Sequence, residues 1–254
     1  MPAKASAPCW KSAAPTSPAS DGAVRFPTTT LVAFAVVWSV IAPGWASGGA
    51  IKGTVKFTGA PIKQEMLAVT VDHFVCGKEK APEALLLSAD KGIRYAVVSL
   101  RNPPAGVKWP GPVPPVQMDQ KSCVYVPHVV LVPVGGTVEF LNSDRLLHNL
   151  HSQSSENRRF NRTQPTGRTI PIIFAKPETV RVDCDLHPWM RAWVVVVEHP
   201  FYVITNEQGE FTLDNVPSGK YTVQVWQETL GGTTKDVTVS DQGITTLTVE
   251  MGQK

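Results

Sequence analysis

The sequence predicts an all-β protein, a Greek-key sandwich accompanied by a second, smaller β-sandwich. Three observations carry that expectation. Nearly every segment after residue 47 is short, rich in β-branched residues and bounded by Gly, Pro, Asn or Asp. Turn signals recur at the spacing of sandwiches and barrels. No window holds a sustained helical period of apolar residues.

Taken in order, residues 1–27 are rich in Pro, Ser and Ala, with Lys4, Lys11 and Arg25 against the single acid Asp21. The run "LVAFAVVWSVIAPGWA" follows from Leu31 and closes on the small residues Gly44 and Ala46. Charged, apolar, then small is the order of a secretory signal, with cleavage expected after Ala46. The run is short of the about 20 residues that span a bilayer. Export to the periplasm or the medium is therefore expected rather than an uncleaved anchor, with no membrane contact after cleavage. No cysteine stands at the cleavage point to take a lipid.

The chain carries 24 Lys and Arg against 21 Asp and Glu, and three of those bases and one acid precede residue 47. The near-neutral remainder offers no nucleic-acid surface. Its length suits one large or two small domains. Cys9 leaves with the signal, which leaves Cys76, Cys123 and Cys184. An odd number of thiols in an oxidising compartment calls for an explanation.

The strands expected beyond the signal begin with "GAIKGTVKFTGAPI" and "IRYAVVSL", within a segment 47–112. The Pro-rich stretch 101–115 reads as a linker. From 113 to 198 come "VVLVPVGGTVEFLN", "ETVRVDC" and "AWVVVVE"; from 199 to 254, "YVITN", "EFTLDNV", "KYTVQVW" and "TTLTVEM". The polar, basic stretch 152–169 reads as a loop, and its Asn161-Arg162-Thr163 fits the glycosylation acceptor pattern, which is common by chance.

Chemistry concentrates in "CDLHPWM", where Cys184, His187 and Met190 stand three residues apart between two strands. Thiolate and thioether select soft metals and imidazole suits copper or zinc, so the set lacks a second imidazole. "FLNSDRLLHNLH" supplies His148 or His151. Two His and one Cys with a weak axial Met describe an electron-transfer copper site. Zinc is disfavoured because its structural sites are built from Cys and His.

On these residues the stretch Val116–Glu198 resembles the cupredoxins, its ligand loop being most similar to that of amicyanin. The resemblance includes "VYVPHVVLVPVGGTVEFLNSD", "HNLH" and "CDLHPWM". It implies one type 1 copper held by His148, Cys184, His187 and Met190, with Asn149 locking the two ligand loops; since one metal needs only one ligand from the His148 loop, His151 is read as structural. It also implies a carrier of single electrons, not an enzyme, whose partner is a c-type cytochrome or a periplasmic dehydrogenase. The chain departs from the family at Asp185 and Leu186, where small residues or Pro are usual. A carboxylate there would lower the potential or alter the colour. With Cys184 on the metal, Cys76 and Cys123 are left to pair. The family's surface histidine would be His187, flanked by Pro188 and Trp189 in an apolar docking patch, with Arg158, Arg159, Arg162 and Arg168 steering an acidic partner. Tyr125, Trp189 and Trp193 are candidate relays or core aromatics, and His128 and His199 have no evident partner. Copper storage or delivery, and a structural sandwich with a vestigial site, are the other functions this ligand set permits.

The stretch Thr205–Val223, within "YVITNEQGEFTLDNVPSGKYTVQVWQE", resembles the carboxypeptidase regulatory-like domain, a small transthyretin-like sandwich. Such domains begin with a strand like Gly49–Ile62, which here lies far upstream. One sandwich split by insertion of the cupredoxin is therefore expected.

Overall fold

The computed structural model describes residues 48–60 and 62–253. The expected signal, 1–46, lies outside the described residues. Those residues form β1 (Gly49–Phe57), β2 (Leu67–Ala68), the one-turn helix α1 (His73–Cys76), β3 (Glu79–Lys80) and β4 (Val97–Leu100). Next come β5 (Val116–Lys121), β6 (Val124–Val126), β7 (Val129–Pro133), β8 (Thr137–Asn142), β9 (His148–Gln153), β10 (Asn161–Gln164), β11 (Ile170–Ile173), β12 (Glu178–Asp183) and β13 (Arg191–Val197). The chain closes with β14 (Tyr202–Ile204), β15 (Glu210–Val216), β16 (Gly219–Gln227), β17 (Gly231–Val239) and β18 (Ile244–Met251). The protein is all-β. Among the described residues no helix is long and apolar enough to cross a membrane.

Two sandwiches result. The central one is built from consecutive strands, with sheets ordered β10-β9-β12-β13-β7 and β11-β8-β5-β6. The flanking one joins segments from both sides of it, in sheets β15-β1-β18 and β14-β4-β16-β17. β1 runs antiparallel to β15 and parallel to β18, so a strand near residue 50 is completed by partners near 213 and 247. Residues 101–115 carry no strand and lead from β4 to β5.

Each sandwich has its own core. Ile51, Val55, Val98, Val223, Val225 and Val249 belong to one; Met118, Phe140, Leu150, Val182 and Val194 belong to the other. A third cluster joins them: Val97, Val129, Val195 and Val197 are buried together with Trp193 and Trp226, whose rings lie 5.1 Å apart. This explains the run Val194–Val197. Alternate residues of a strand face opposite sides. Here Val194 and Val196 enter the central core while Val195 and Val197 enter the inter-sandwich layer. A sheet buried on both faces reads as an unbroken apolar run.

Candidate metal centre

β12 and β13 pair antiparallel out to Asp183↔Arg191, so residues 184–190 form the connection at one end of the central sandwich. The connection is closed by two backbone bonds, from the Cys184 N–H to the Met190 carbonyl at 3.3 Å and from the Met190 N–H to the His187 carbonyl at 2.8 Å. β9 lies on the other side of β12, with Asp183 opposite His151. His148 is the first residue of β9.

Strand parity then chooses between the two histidines. His148, Leu150 and Ser152 are all buried, whereas His151 faces the other way, half-exposed, with Nδ1 2.8 Å from a carboxylate oxygen of Asp185. His148 Nδ1 lies 2.9 Å from His187 Nδ1, and Cys184 Sγ lies 3.9 Å and 3.5 Å from those two nitrogens. Cys184 is a free cysteine and is buried with both imidazoles. Three donor atoms so close together, with no protein partner that ties up all three, match the soft and borderline set that copper takes. Met190 is buried in the same core as Cys184.

The outer nitrogen of each imidazole meets a carboxylate. His148 Nε2 is 2.9 Å from Asp144 Oδ2, and Asp144 also accepts the backbone N–H groups of Ser122 at 2.6 Å and Cys123 at 2.8 Å. His187 Nε2 is 3.0 Å from Asp72 Oδ2. A proton held on Nε2 by a carboxylate leaves the Nδ1 lone pair for a metal. The two rings differ electrostatically. Burial disfavours a charged His148, but the Asp144 hydrogen bond and the Cys184 sulfur outweigh it and raise its pKa. Burial also dominates at His187, where Asp72 only partly offsets it, and that pKa is lowered. Burial likewise works to raise the pKa of Asp144, yet the bonds from His148, Cys123 and Ser122 hold it below the usual range.

Asn149 ties β9 to the 184–190 connection. Its backbone N–H points at Cys184 Sγ at 3.5 Å, its Oδ1 accepts the Asp185 N–H at 2.5 Å, and its Nδ2 donates to Asn161 at 2.7 Å and Asp185 at 3.1 Å. Asp185 thus spends its charge on His151, Asn149 and Asn161. Tyr125, fully buried, donates its hydroxyl to the Asn149 carbonyl at 3.1 Å. Cys76 and Cys123 are joined in a disulfide.

Several expectations are corrected. His187 does not reach the surface: it is 0% exposed, covered by Asp72 and by Trp189, whose ring centroid is 5.2 Å away. Trp189 is half-buried and donates its indole N–H to the Cys123 carbonyl at 3.0 Å, so its tip is anchored rather than free. Pro188 and Trp189 line a cavity of about 460 Å³ with Leu67, Pro82 and His128, whereas Arg158, Arg159 and Arg162 line another with Phe160 and Ile172. Arg168 is exposed, two residues before β11. His128 does have partners: it is buried against Glu228 and lies 3.7 Å from Glu83, so it links the two sandwiches. Burial leads the causes that raise the pKa of Glu83, with His128 opposing. His199 packs on Tyr202, ring centroids 4.6 Å apart. Asp72 carries no local sequence signal, being 115 residues from His187, whereas Asp144 stands four residues before His148.

The family model of the carboxypeptidase regulatory-like domain matches residues 179–252, from within β12 to the end of β18. A search of curated proteins finds no match. Among solved structures, the chain is similar to the Cu-containing nitrite reductase of Thermus scotoductus SA-01 (28% identity over 39% of this chain and 26% of that one, TM-score 0.33), spanning about a quarter of that protein. It is also similar to the purple cupredoxin of Nitrosopumilus maritimus (26% identity, 32% and 99% covered, TM-score 0.29). A mutant amicyanin in its reduced Cu(I) form at pH 4 gives 20% identity, 39% and 98% covered, and a TM-score of 0.31. With every TM-score below 0.5, what the metal centre does rests on its own side chains.

Proposed function

We propose that the protein is an exported type 1 copper protein that carries single electrons between periplasmic redox partners. The observation that carries this reading is the set of three donors, His148 Nδ1, His187 Nδ1 and Cys184 Sγ, buried within 3.9 Å of one another with both outer nitrogens on carboxylates. Met190 supplies the weak fourth ligand. Bound copper would supply the one-electron couple. The chain's own part is to hold the donors still. Cys184 and His187 sit on a connection closed by backbone bonds, His148 on a strand, and Asn149 fastens one to the other. A site fixed before the ion arrives changes little between oxidation states, which suits electron transfer over turnover of a substrate. The burial of all three donors favours a retained ion over copper delivery. A c-type cytochrome or a periplasmic dehydrogenase is the proposed partner, and the segment 1–46 the proposed export signal.

Adding Cu(II) to the purified protein should give an intense visible thiolate-to-copper band and a narrow-hyperfine EPR signal. Cys184→Ala should abolish the band and His148→Ala or His187→Ala should reduce it severely, while His151→Ala should leave it nearly intact. A colourless wild-type protein would remove the reading. Fast reduction by a c-type cytochrome would separate an electron carrier from a delivery protein.

A further inference from the structure

Asp72 reaches the metal centre from outside the central sandwich. It lies at the tip of a small excursion, in which β2 and β3 pair through Leu67↔Lys80 and Ala68↔Glu79 and α1 forms the turn between them. The tip is fastened to the loop that connects β5 to β6. Cys76 is bonded to Cys123, Lys80 Nζ donates to the Ser122 carbonyl at 2.7 Å, and Val69 is buried in the central core. Asp72 stands at the N-cap of α1, where an Asp side chain ordinarily accepts a backbone N–H of the first turn. Here it makes no such bond. Its backbone takes the left-handed conformation, φ 51° and ψ 36°, and its carboxylate goes to His187 Nε2 at 3.0 Å. A side chain that gives up the cap it is placed to make, in a conformation most residues avoid, is held for another purpose.

The same short loop also serves the other ring. The Ser122 and Cys123 N–H groups hold Asp144, which holds His148, and the Cys123 carbonyl holds Trp189, whose ring lies on His187. His148 is thus steadied from within its own sandwich. His187 depends on a residue 115 positions away in sequence.

We propose that Asp72 is a positioning residue for His187: from its disulfide-anchored turn it fixes the ring's Nε2–H tautomer and orientation and closes the ring edge to solvent. The identification of His187 as a copper ligand rests on the function proposed above, but the hydrogen bond does not, so it is tested on the metal-free protein. Long-range ¹H–¹⁵N NMR of histidine-labelled protein should show a slowly exchanging proton on Nε2 of both imidazoles, each held by its carboxylate. In Asp72→Ala the His187 proton should exchange at least about tenfold faster or disappear, while that of His148 persists and reports an intact fold. Asp72→Asn, whose side-chain oxygen still accepts, should retain it. A His187 proton unchanged in Asp72→Ala, with the His148 signal intact, would overturn the proposal, as would one lost equally in Asp72→Asn. A second arm uses copper itself: Cu(I) affinity should fall roughly 10- to 100-fold in Asp72→Ala. An unchanged affinity would overturn the positioning role. A wild-type protein that binds no copper but shows the tautomer response would count against the copper reading alone.

Discussion

The two sandwiches reach similar burial by different means. The central one is assembled from consecutive strands, and it keeps buried polar groups: Gln120, Asn142, Asp144, His148, Asn149, Gln164 and His187 are all inside it. The flanking one is assembled from segments on either side of the central one, and around its apolar core of Ile51, Val98, Val223 and Val249 it buries fewer polar side chains, Ser99, Thr205 and Gln227 among them. Buried polar groups cost free energy unless each finds a partner. In the central sandwich most do, Gln120 Oε1 being an exception: Gln120 donates through Nε2 to Gln164, Asn142 donates to the Leu146 carbonyl, and the imidazoles meet carboxylates. The lesson is a division of labour. One sandwich spends stability on a prearranged polar site, and the other is a dry support that shares the valine and tryptophan layer with it.

The sharpest way to break this comparison is to damage the dry core alone. Ile51 is fully buried at the centre of sheet β15-β1-β18. Ile51→Ala is expected to cost about 2–5 kcal/mol, the usual range for emptying such a position. Because the two cores are separate clusters, calorimetry should then resolve an early transition of the flanking sandwich while the central sandwich outlasts it. A single transition would mean the two are one cooperative unit.

A somewhat smaller effect should fall on the other side. Replacing both Cys76 and Cys123 with Ala removes a crosslink between residues 47 apart in sequence, for an expected loss of about 2–4 kcal/mol. Denaturant unfolding should place that loss on the transition of the central sandwich. A loss confined to the flanking sandwich would contradict the assignment of the 67–80 excursion to the central one.

The smallest expected effect concerns acid. Glu178 accepts from Ser154 Oγ at 2.6 Å, the Ser155 N–H at 2.6 Å and the Asn157 N–H at 3.1 Å. Burial alone would raise its pKa, but these bonds bring it from 4.5 down to about 2. A carboxylate whose folded pKa is depressed stabilises fully above its unfolded value and loses that contribution as pH falls through the folded one. Glu178→Gln should therefore lower the melting temperature above pH 4.5 and flatten its dependence between pH 4.5 and about 2. An identical acid profile in the variant would show that the loop 154–157 is held some other way.

The all-β fold was legible because β-branched runs and turn residues are local signals that tertiary context here leaves undisturbed. The Cys184–His187–Met190 stretch was legible for a similar reason: a connection seven residues long between paired strands gathers its own side chains. In the sequence His148 is distinguished from His151 by family likeness alone; in the fold, pleat parity sets which of the two faces Cys184. The burial of His187 was not legible, because the group that covers it comes from a turn whose sequence, "VDHFVC", says nothing of its destination. His128 was unreadable for the same reason, its partners Glu83 and Glu228 lying on the other sandwich.

By itself, then, the sequence determined what is encoded within a few residues: strands, turns, and a thiol, an imidazole and a thioether on one seven-residue connection. The tertiary structure alone decided which carboxylates stand behind the imidazoles, which strand completes β15 and β18, and which face of Val194–Val197 meets which core. Apart from Asp144, which stands four residues before His148, these are contacts between groups far apart in the chain. Such contacts are set by the packing of whole sheets against one another, and no short stretch of residues carries that information.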